Sequence, residues 1–285
     1  MDRTPPSRRA IMAPSRLGGV PAALPPPGET PPGQLALPLV RRTATDDERA
    51  QTGPREVLRG AVHVAGWLGI DAQRDLVLQF RRWALPPAGL RQPRVPSGHL
   101  MSVRSVCLGW HWYPYVYSKT ADDSDGAPVK ALPREIADLA RAAVAEAYGT
   151  ESAEAARYAP DAAIVNLYAP ESRLGLHQDA EEPSEAPVVT ISLGDTCVFR
   201  FAGVERRTGP FVDIELRSGD LLVFGGPTRR IYHGVTKVLA STAPDGLGLP
   251  PGRLSITVRE TGLQDSACAT PSREQPSAGA RPYPG

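Results

Sequence analysis

From residue 162 onward the chain is a succession of short apolar runs, AAIVNLY, APVVTISLG, TCVFRFAG, PFVDIEL, DLLVFGG, RIYHGV and RLSITVRE, parted by Gly, Pro, Asp or Ser. Runs this short and this rich in β-branched and aromatic residues predict strands. The gaps between them are too short for crossover helices, so an antiparallel sandwich or barrel is expected and a βαβ fold is not. Two helical patterns come first. Ala72, Leu76, Phe80 and Trp83 recur at three- and four-residue steps after Asp71, read as an N-cap, and before Pro86 and Pro87. A second helix is expected from Pro133, with Ile136, Leu139, Ala140, Ala143, Val144 and Ala147 on one side and Gly149 at its end. Two helices followed by a β-rich half suggest helices laid on the outside of a jelly-roll sandwich.

Proline marks the ends of the folded part. Residues 1–54 hold eleven of the 31 prolines and residues 263–285 another four, with little apolar periodicity, so both stretches are expected to be disordered tails. The widely spaced Cys107, Cys197 and Cys268 fit neither a disulfide framework nor a CxxC knuckle. No apolar run is long enough for a membrane span, and the Arg-rich start lacks the apolar stretch of a secretory signal, so a cytoplasmic protein with no membrane partner is expected. The net charge of +1 is a balance between unlike blocks. Residues 55–119 carry nine basic and three acidic residues, whereas residues 120–200 carry six basic and fifteen acidic. A basic block of this kind suits a polyanionic partner, and equally a solvated basic face.

His177 and Asp179, in Leu176-His177-Gln178-Asp179, stand two residues apart. On an extended segment they share a face, roughly 6–7 Å apart along the chain, within reach of one ion. That pair alone is a weak signal. His233, in Arg230-Ile231-Tyr232-His233-Gly234, is read as closing a hairpin after the Gly225-Gly226 turn and completes a set of two histidines and one carboxylate. Such a set leaves coordination positions open, as non-haem Fe(II) oxygenases require. The last strand places Leu254, Ile256 and Val258 on one face and Arg253, Ser255, Thr257 and Arg259 on the other. Two guanidinium groups beside small hydroxyls form a wall suited to a carboxylate. A dicarboxylate chelating iron at one end and meeting arginine at the other would account for both features. Residues 110–117, Trp-His-Trp-Tyr-Pro-Tyr-Val-Tyr, hold five of the chain's seventeen aromatics. In a basic region they suit an extruded base gripped between rings, or else a buried aromatic hairpin.

Taken together, Asn166-Leu167-Tyr168-Ala169-Pro170, Leu176 to Asp179, Ile191-Ser192-Leu193-Gly194, Ser218-Gly219-Asp220, Tyr232-His233-Gly234 and Arg253 to Arg259 resemble the AlkB family of Fe(II)- and 2-oxoglutarate-dependent dioxygenases in order, spacing and identity. The likeness is greatest to the bacterial AlkB nucleic-acid repair enzymes. It implies an α+β, mainly β fold: a double-stranded β-helix (jelly-roll) core with flanking N-terminal helices and a nucleotide-recognition lid at about 91–119, within a domain spanning 55–262. It further implies Fe(II) on His177, Asp179 and His233, with 2-oxoglutarate on Asn166, Tyr168, Arg253 and Arg259 and O₂ as second cosubstrate. Ser255 stands where bacterial members often have asparagine. Trp110 would stack on the damaged base, Tyr115 and Tyr117 would contact the substrate backbone, Glu181 would help select the base, and Arg206 would contact substrate. The implied reaction is oxidative demethylation of N1-methyladenine and N3-methylcytosine in single- or double-stranded DNA, or in RNA, by a monomer. Two rivals stand beside it: an oxygenase of the same chemistry acting on a protein or small molecule, and a nucleic-acid-binding protein without catalysis.

Overall fold

The computed structural model of the protein describes residues 53–264. The expected tails, apart from residues 53, 54, 263 and 264, and with them Cys268, lie outside the described residues. In chain order the elements are β1 (Arg55–Leu58), β2 (Ala61–Val64), α1 (Ile70–Trp83), β3 (Val103–Leu108), β4 (His111–Tyr113), β5 (Val116–Ser118), α2 (Arg134–Tyr148), α3 (Ala153–Arg157) and β6 (Ala162–Tyr168). They continue with β7 (Leu174–His177), β8 (Val188–Gly194), β9 (Thr196–Phe201), β10 (Val212–Leu216), β11 (Leu221–Phe224), β12 (His233–Leu239) and β13 (Arg253–Arg259).

The strands form two antiparallel sheets, one of seven strands in the order β1-β2-β11-β8-β13-β6-β3 and one of four, β10-β9-β12-β7. This is the jelly-roll core expected of the sequence, with a separate β4–β5 hairpin beside it. Two apolar layers hold it together. The apolar stripe of α1, Ala72, Leu76, Phe80 and Trp83, and that of α2, Ile136, Leu139, Ala140 and Val144, are buried against Leu254, Ile256 and Val258 of β13 and their neighbours. Each large side chain so buried contributes about 1.5–3 kcal/mol. The second layer lies between the sheets, around Phe199, Phe201, Phe224 and Tyr168. Strand β13 therefore has one apolar face toward the helices and one polar face toward the other sheet, as its alternation predicts.

Three local expectations are corrected. Asp71 is not the N-cap of α1: Gly69 has the extended backbone a cap needs, and Asp71 sits in the first turn, 3.0 Å from Arg74. There its charge still favours the positive end of the helix dipole. Gly225-Gly226 is not a hairpin turn, because β11 belongs to the seven-stranded sheet and β12 to the other, with a 3₁₀ turn at Gly226–Thr228 between them. The stretch 240–251 between His233 and Arg253, whose Pro and Gly content alone predicts a flexible loop near the site, is instead bound to α1. Arg74 Nε donates to the Gly246 carbonyl at 2.9 Å, Arg81 Nη2 donates to that of Gly248, and Leu247 is buried in the helix-side core.

Asp195, buried at the β8–β9 turn, closes that loop at both ends. Its Oδ1 accepts from Thr242 and Ala243 N–H at 2.9 and 3.0 Å, and its Oδ2 from Gly252 N–H at 2.9 Å, immediately before Arg253. Asp195→Ala would leave three backbone donors without that acceptor. The expected loss is about 3 kcal/mol, a fall in melting temperature of roughly 6–12 °C read by thermal denaturation, whereas an unchanged melting temperature would refute this role.

Candidate active site

The polar face of β13 opens into a cavity between the sheets. Asn166 and Tyr168 of β6, Arg253, Ser255, Thr257 and Arg259 of β13, His177 of β7, Phe199 of β9 and His233 of β12 line it. Antiparallel pairing sets His177 opposite His233. Asp179 follows β7 by two residues and is buried. One ligand atom from each of His177, Asp179 and His233 falls within 4.8 Å of the other two, so the three expected ligands converge.

Their orientation is fixed from behind. His177 Nδ1 lies 2.9 Å from the Gly175 carbonyl and His233 Nδ1 lies 3.0 Å from that of Ile231. Each ring thus donates to backbone through Nδ1 and presents Nε2 as an electron pair, at 3.7 and 3.8 Å from the Asp179 oxygens. Phe199 stacks on the His233 ring with centroids 5.6 Å apart, and Phe224 lies at 4.9 Å. Burial, with the neighbouring charge of His177, lowers the His233 pKa to about 4, which keeps it neutral and able to ligate. Burial alone would raise the Asp179 carboxyl, but Arg259 and the two histidines outweigh it and hold the group well below the ordinary carboxylate range. Arg259 Nη2 approaches Asp179 Oδ2 to 2.8 Å as an ion pair outside hydrogen-bond geometry, so that oxygen has no hydrogen-bond donor.

Arg253 is held differently. It is fully buried, with Nε donating to Ser192 Oγ at 3.0 Å, Nη2 at 3.4 Å from Ser255 Oγ, and the guanidinium 5.1 Å from the Tyr168 ring centroid. Its Nη1 has no partner, and among the described residues no carboxylate lies within ion-pair distance. A buried cation without a counter-charge is strongly unfavourable. The donor set and these orphaned atoms fit a metal cation at Asp179 and a carboxylate at Arg253. Asn166 receives the Ser105 hydroxyl on its Oδ1 at 2.6 Å, which leaves its amide N–H₂ for the cavity. Burial pushes the Tyr168 phenol up to about 12, so it stays a neutral donor.

The expected substrate residues are less tightly gathered. Gly109, at φ +78, is required at the turn before Trp110, since a Cβ there would meet the Asp161 carbonyl at 1.9 Å. Trp110 is buried with Nε1 3.2 Å from Asp161, and Lys119 Nζ lies 3.6 Å from its ring centroid. Tyr115 is 66% exposed at the tip of the β4–β5 hairpin, with a φ of +73 that is strained for a bulky side chain. Tyr117 is turned inward against Glu182. Glu181 is half-buried, and burial, with the charges of Glu182 and Asp179, raises its carboxyl. Arg206 is exposed on the β9–β10 loop. The block expected at 91–119 is divided: β3 is an edge strand of the large sheet, and the hairpin stands outside it. Its base is pinned by Asp123 Oδ1, 2.6 Å from both Arg91 Nε and His111 Nε2. Sequence reading missed Glu182 and Arg229, two fully buried partners 3.3 Å apart. Their only signal is charge beside a motif, at Glu181-Glu182 and Arg229-Arg230.

Comparison with known proteins agrees with this geometry. The profile of the 2OG-Fe(II) oxygenase superfamily matches residues 60–259. The DNA N(6)-methyladenine demethylase ALKBH1D of Arabidopsis thaliana is 36% identical over 219 residues, covering 70% of this chain and 49% of that protein. The chain thus spans about half the length of that relative. The alpha-ketoglutarate-dependent dioxygenase AlkB of Escherichia coli K12 is 36% identical over 182 residues, 61% of this chain and 79% of that one. A solved structure titled "The structure of OsALKBH1" superposes with a TM-score of 0.65 at 30% identity, covering 73% of this chain and 99% of the other. With the superfamily profile covering β2 through β13 and the AlkB likeness extending over most of the bacterial enzyme, the chain belongs to the AlkB family of 2OG-Fe(II) oxygenases.

Proposed function

We propose that the protein is an oxidative demethylase of N-alkylated nucleic-acid bases, N1-methyladenine and N3-methylcytosine first among them, working as a cytoplasmic monomer. The observation that carries the reading is a pair of incomplete buried groups: Asp179 Oδ2, beside the two histidines, has no hydrogen-bond donor, and Arg253 of the cavity wall has no carboxylate partner among the described residues. His177, Asp179 and His233 would hold Fe(II), while Arg253, Arg259, Ser255, Tyr168 and the amide of Asn166 would hold 2-oxoglutarate. Bound there, iron and 2-oxoglutarate supply an oxidant from O₂ that hydroxylates an N-alkyl carbon, leaving succinate, CO₂ and, once the hydroxymethyl group falls away, formaldehyde.

The chain's own part is to bind, orient and exclude water. Three phenylalanines around His233 keep that side of the cavity dry. Arg259 keeps Asp179 ionised, and the backbone carbonyls behind both histidines fix their tautomers. A cationic methylated base beside Glu181 would lower that carboxyl again and be held by it. Trp110 would stack on the base once Lys119 gives up its place over the ring. Tyr115, held exposed in a strained conformation, and Arg206 would meet the strand. The basic block narrows to fewer contacts than its charge suggests. Arg91 is tied to Asp123, while Arg74 and Arg81 hold the 240–251 loop, and the other six, Arg55, Arg59, Arg82, Arg94, Arg104 and Lys119, are exposed. The name of the Arabidopsis relative favours N6-methyladenine as a second lesion, and the same assay separates the two.

Incubation with Fe(II), ascorbate, 2-oxoglutarate and an oligonucleotide bearing N1-methyladenine is expected to release formaldehyde and repaired adenine, and His177→Ala to abolish both. Cosubstrate decarboxylation that no methylated DNA or RNA stimulates would replace this reading with another substrate class. Arg253→Gln is expected to raise the Kd for 2-oxoglutarate about 100-fold, in line with the roughly 3 kcal/mol lost when one partner of a buried charge pair is removed. An unchanged Kd in anaerobic titration would exclude Arg253 as the carboxylate partner.

A further inference from the structure

Tyr117, expected to touch the substrate backbone, has its hydroxyl engaged elsewhere. It donates to Glu182 Oε1 at 2.5 Å and accepts from Arg259 Nη1 at 3.1 Å. Arg259 Nη1 is also 3.3 Å from Glu182 Oε1, while its Nη2 is the group that meets Asp179 at 2.8 Å. The other oxygen of Glu182 faces Arg229 Nη2 at 3.3 Å, and Arg229 Nη1 donates to the Asp179 backbone carbonyl at 2.9 Å. Arg230 Nη1 donates to the same carbonyl at 2.6 Å.

Two carboxylates and two guanidinium groups thus form a neutral quartet in the interior, with Asp179, Glu182, Arg229 and Arg259 all buried. One face of the quartet is a candidate iron ligand and the other is the hydroxyl of a residue on β5. A guanidinium is a rigid planar fork, so what Arg259 gives to Tyr117 and Glu182 sets where its charge sits beside Asp179. We propose that Tyr117 and Glu182 are positioning residues that latch the β4–β5 hairpin to Asp179 through Arg259, so that the place of the hairpin and the geometry of the metal site are coupled. The inference rests on the reading of His177, Asp179 and His233 as the iron site. It moves Tyr117 from the substrate to the metal, and it gives Glu182 a role distinct from that of Glu181. Coupling of this kind is reciprocal: a nucleic acid that moves the hairpin changes the metal site, and a filled metal site favours one hairpin position.

The test uses the whole protein, without nucleic acid and without O₂. Fe(II) is titrated in, 2-oxoglutarate is added, and the charge-transfer absorption of the complex is recorded beside the melting temperature. Tyr117→Phe, which removes one hydroxyl, is expected to weaken Fe(II) binding about tenfold, the lower end of the effect of removing an outer-shell partner, and to shift the band while the protein remains folded. Glu182→Gln, which keeps an acceptor but not the charge, is expected to shift it in the same direction, and the double variant to add less than the sum. Tyr113→Phe, on the same hairpin without the contact, should do neither. An unaltered band and Fe(II) affinity in Tyr117→Phe, with only the KM for a methylated oligonucleotide raised, would overturn the latch and return Tyr117 to the substrate. Failure of the unaltered protein to bind Fe(II) at all would overturn the iron reading itself, and the latch with it.

Discussion

The structure turns on charge held inside an apolar sandwich. Arg253 and Arg259 stand on one face of β13, whose other face is packed with Leu254, Ile256 and Val258 against the helices. Desolvating two guanidinium groups is expensive, and each is answered differently. Arg259 is balanced within the chain, by Asp179 and Glu182. Arg253 has hydroxyls, the Cys197 thiol and an aromatic face beside it, and no carboxylate among the described residues. That asymmetry is the physical content of the site: Arg259 is paired with Asp179, a candidate metal ligand, whereas Arg253 has no such partner among the described residues.

Much else serves to keep β13 in register. Strands β6 and β8 pair along it on both sides, and Asp195 clamps the residue immediately before it. The histidines come from the opposite sheet, so their distance from Arg253 is set by how the two sheets stack. The phenylalanines between the sheets therefore do two things, excluding water and fixing that spacing.

The parts of this arrangement that could be read from the sequence are those with a short period. The alternation of β13 follows from strand geometry alone, and both its faces came out as read; His177 ends β7 and Asp179 lies two residues beyond it, yet the two converge. The apolar stripes of α1 and α2 were legible for the same reason. Residues 225–232 were not, because a chain that leaves one sheet for the other carries the same Gly and Pro as one that turns a hairpin. The cap of α1 was misplaced by two residues, since Asp71 suits a first turn as well as a cap. Glu182 and Arg229 were invisible because a charged side chain is ordinarily solvated, and only the folded structure shows the partner that allows it inside. The aromatic block was read as one unit, yet it contains a buried end at Trp110, an exposed tip at Tyr115 and an inward-facing Tyr117.

The central claim is that His177, Asp179 and His233 are completed by a divalent metal and Arg253 by a dicarboxylate. A crystal structure of the protein grown without O₂ with Fe(II) and 2-oxoglutarate addresses it most directly. The account predicts metal bound by His177 Nε2, Asp179 and His233 Nε2, with a carboxylate on Arg253 Nη1. Metal bound elsewhere, or an Arg253 still without an anionic partner at saturating 2-oxoglutarate, would contradict it.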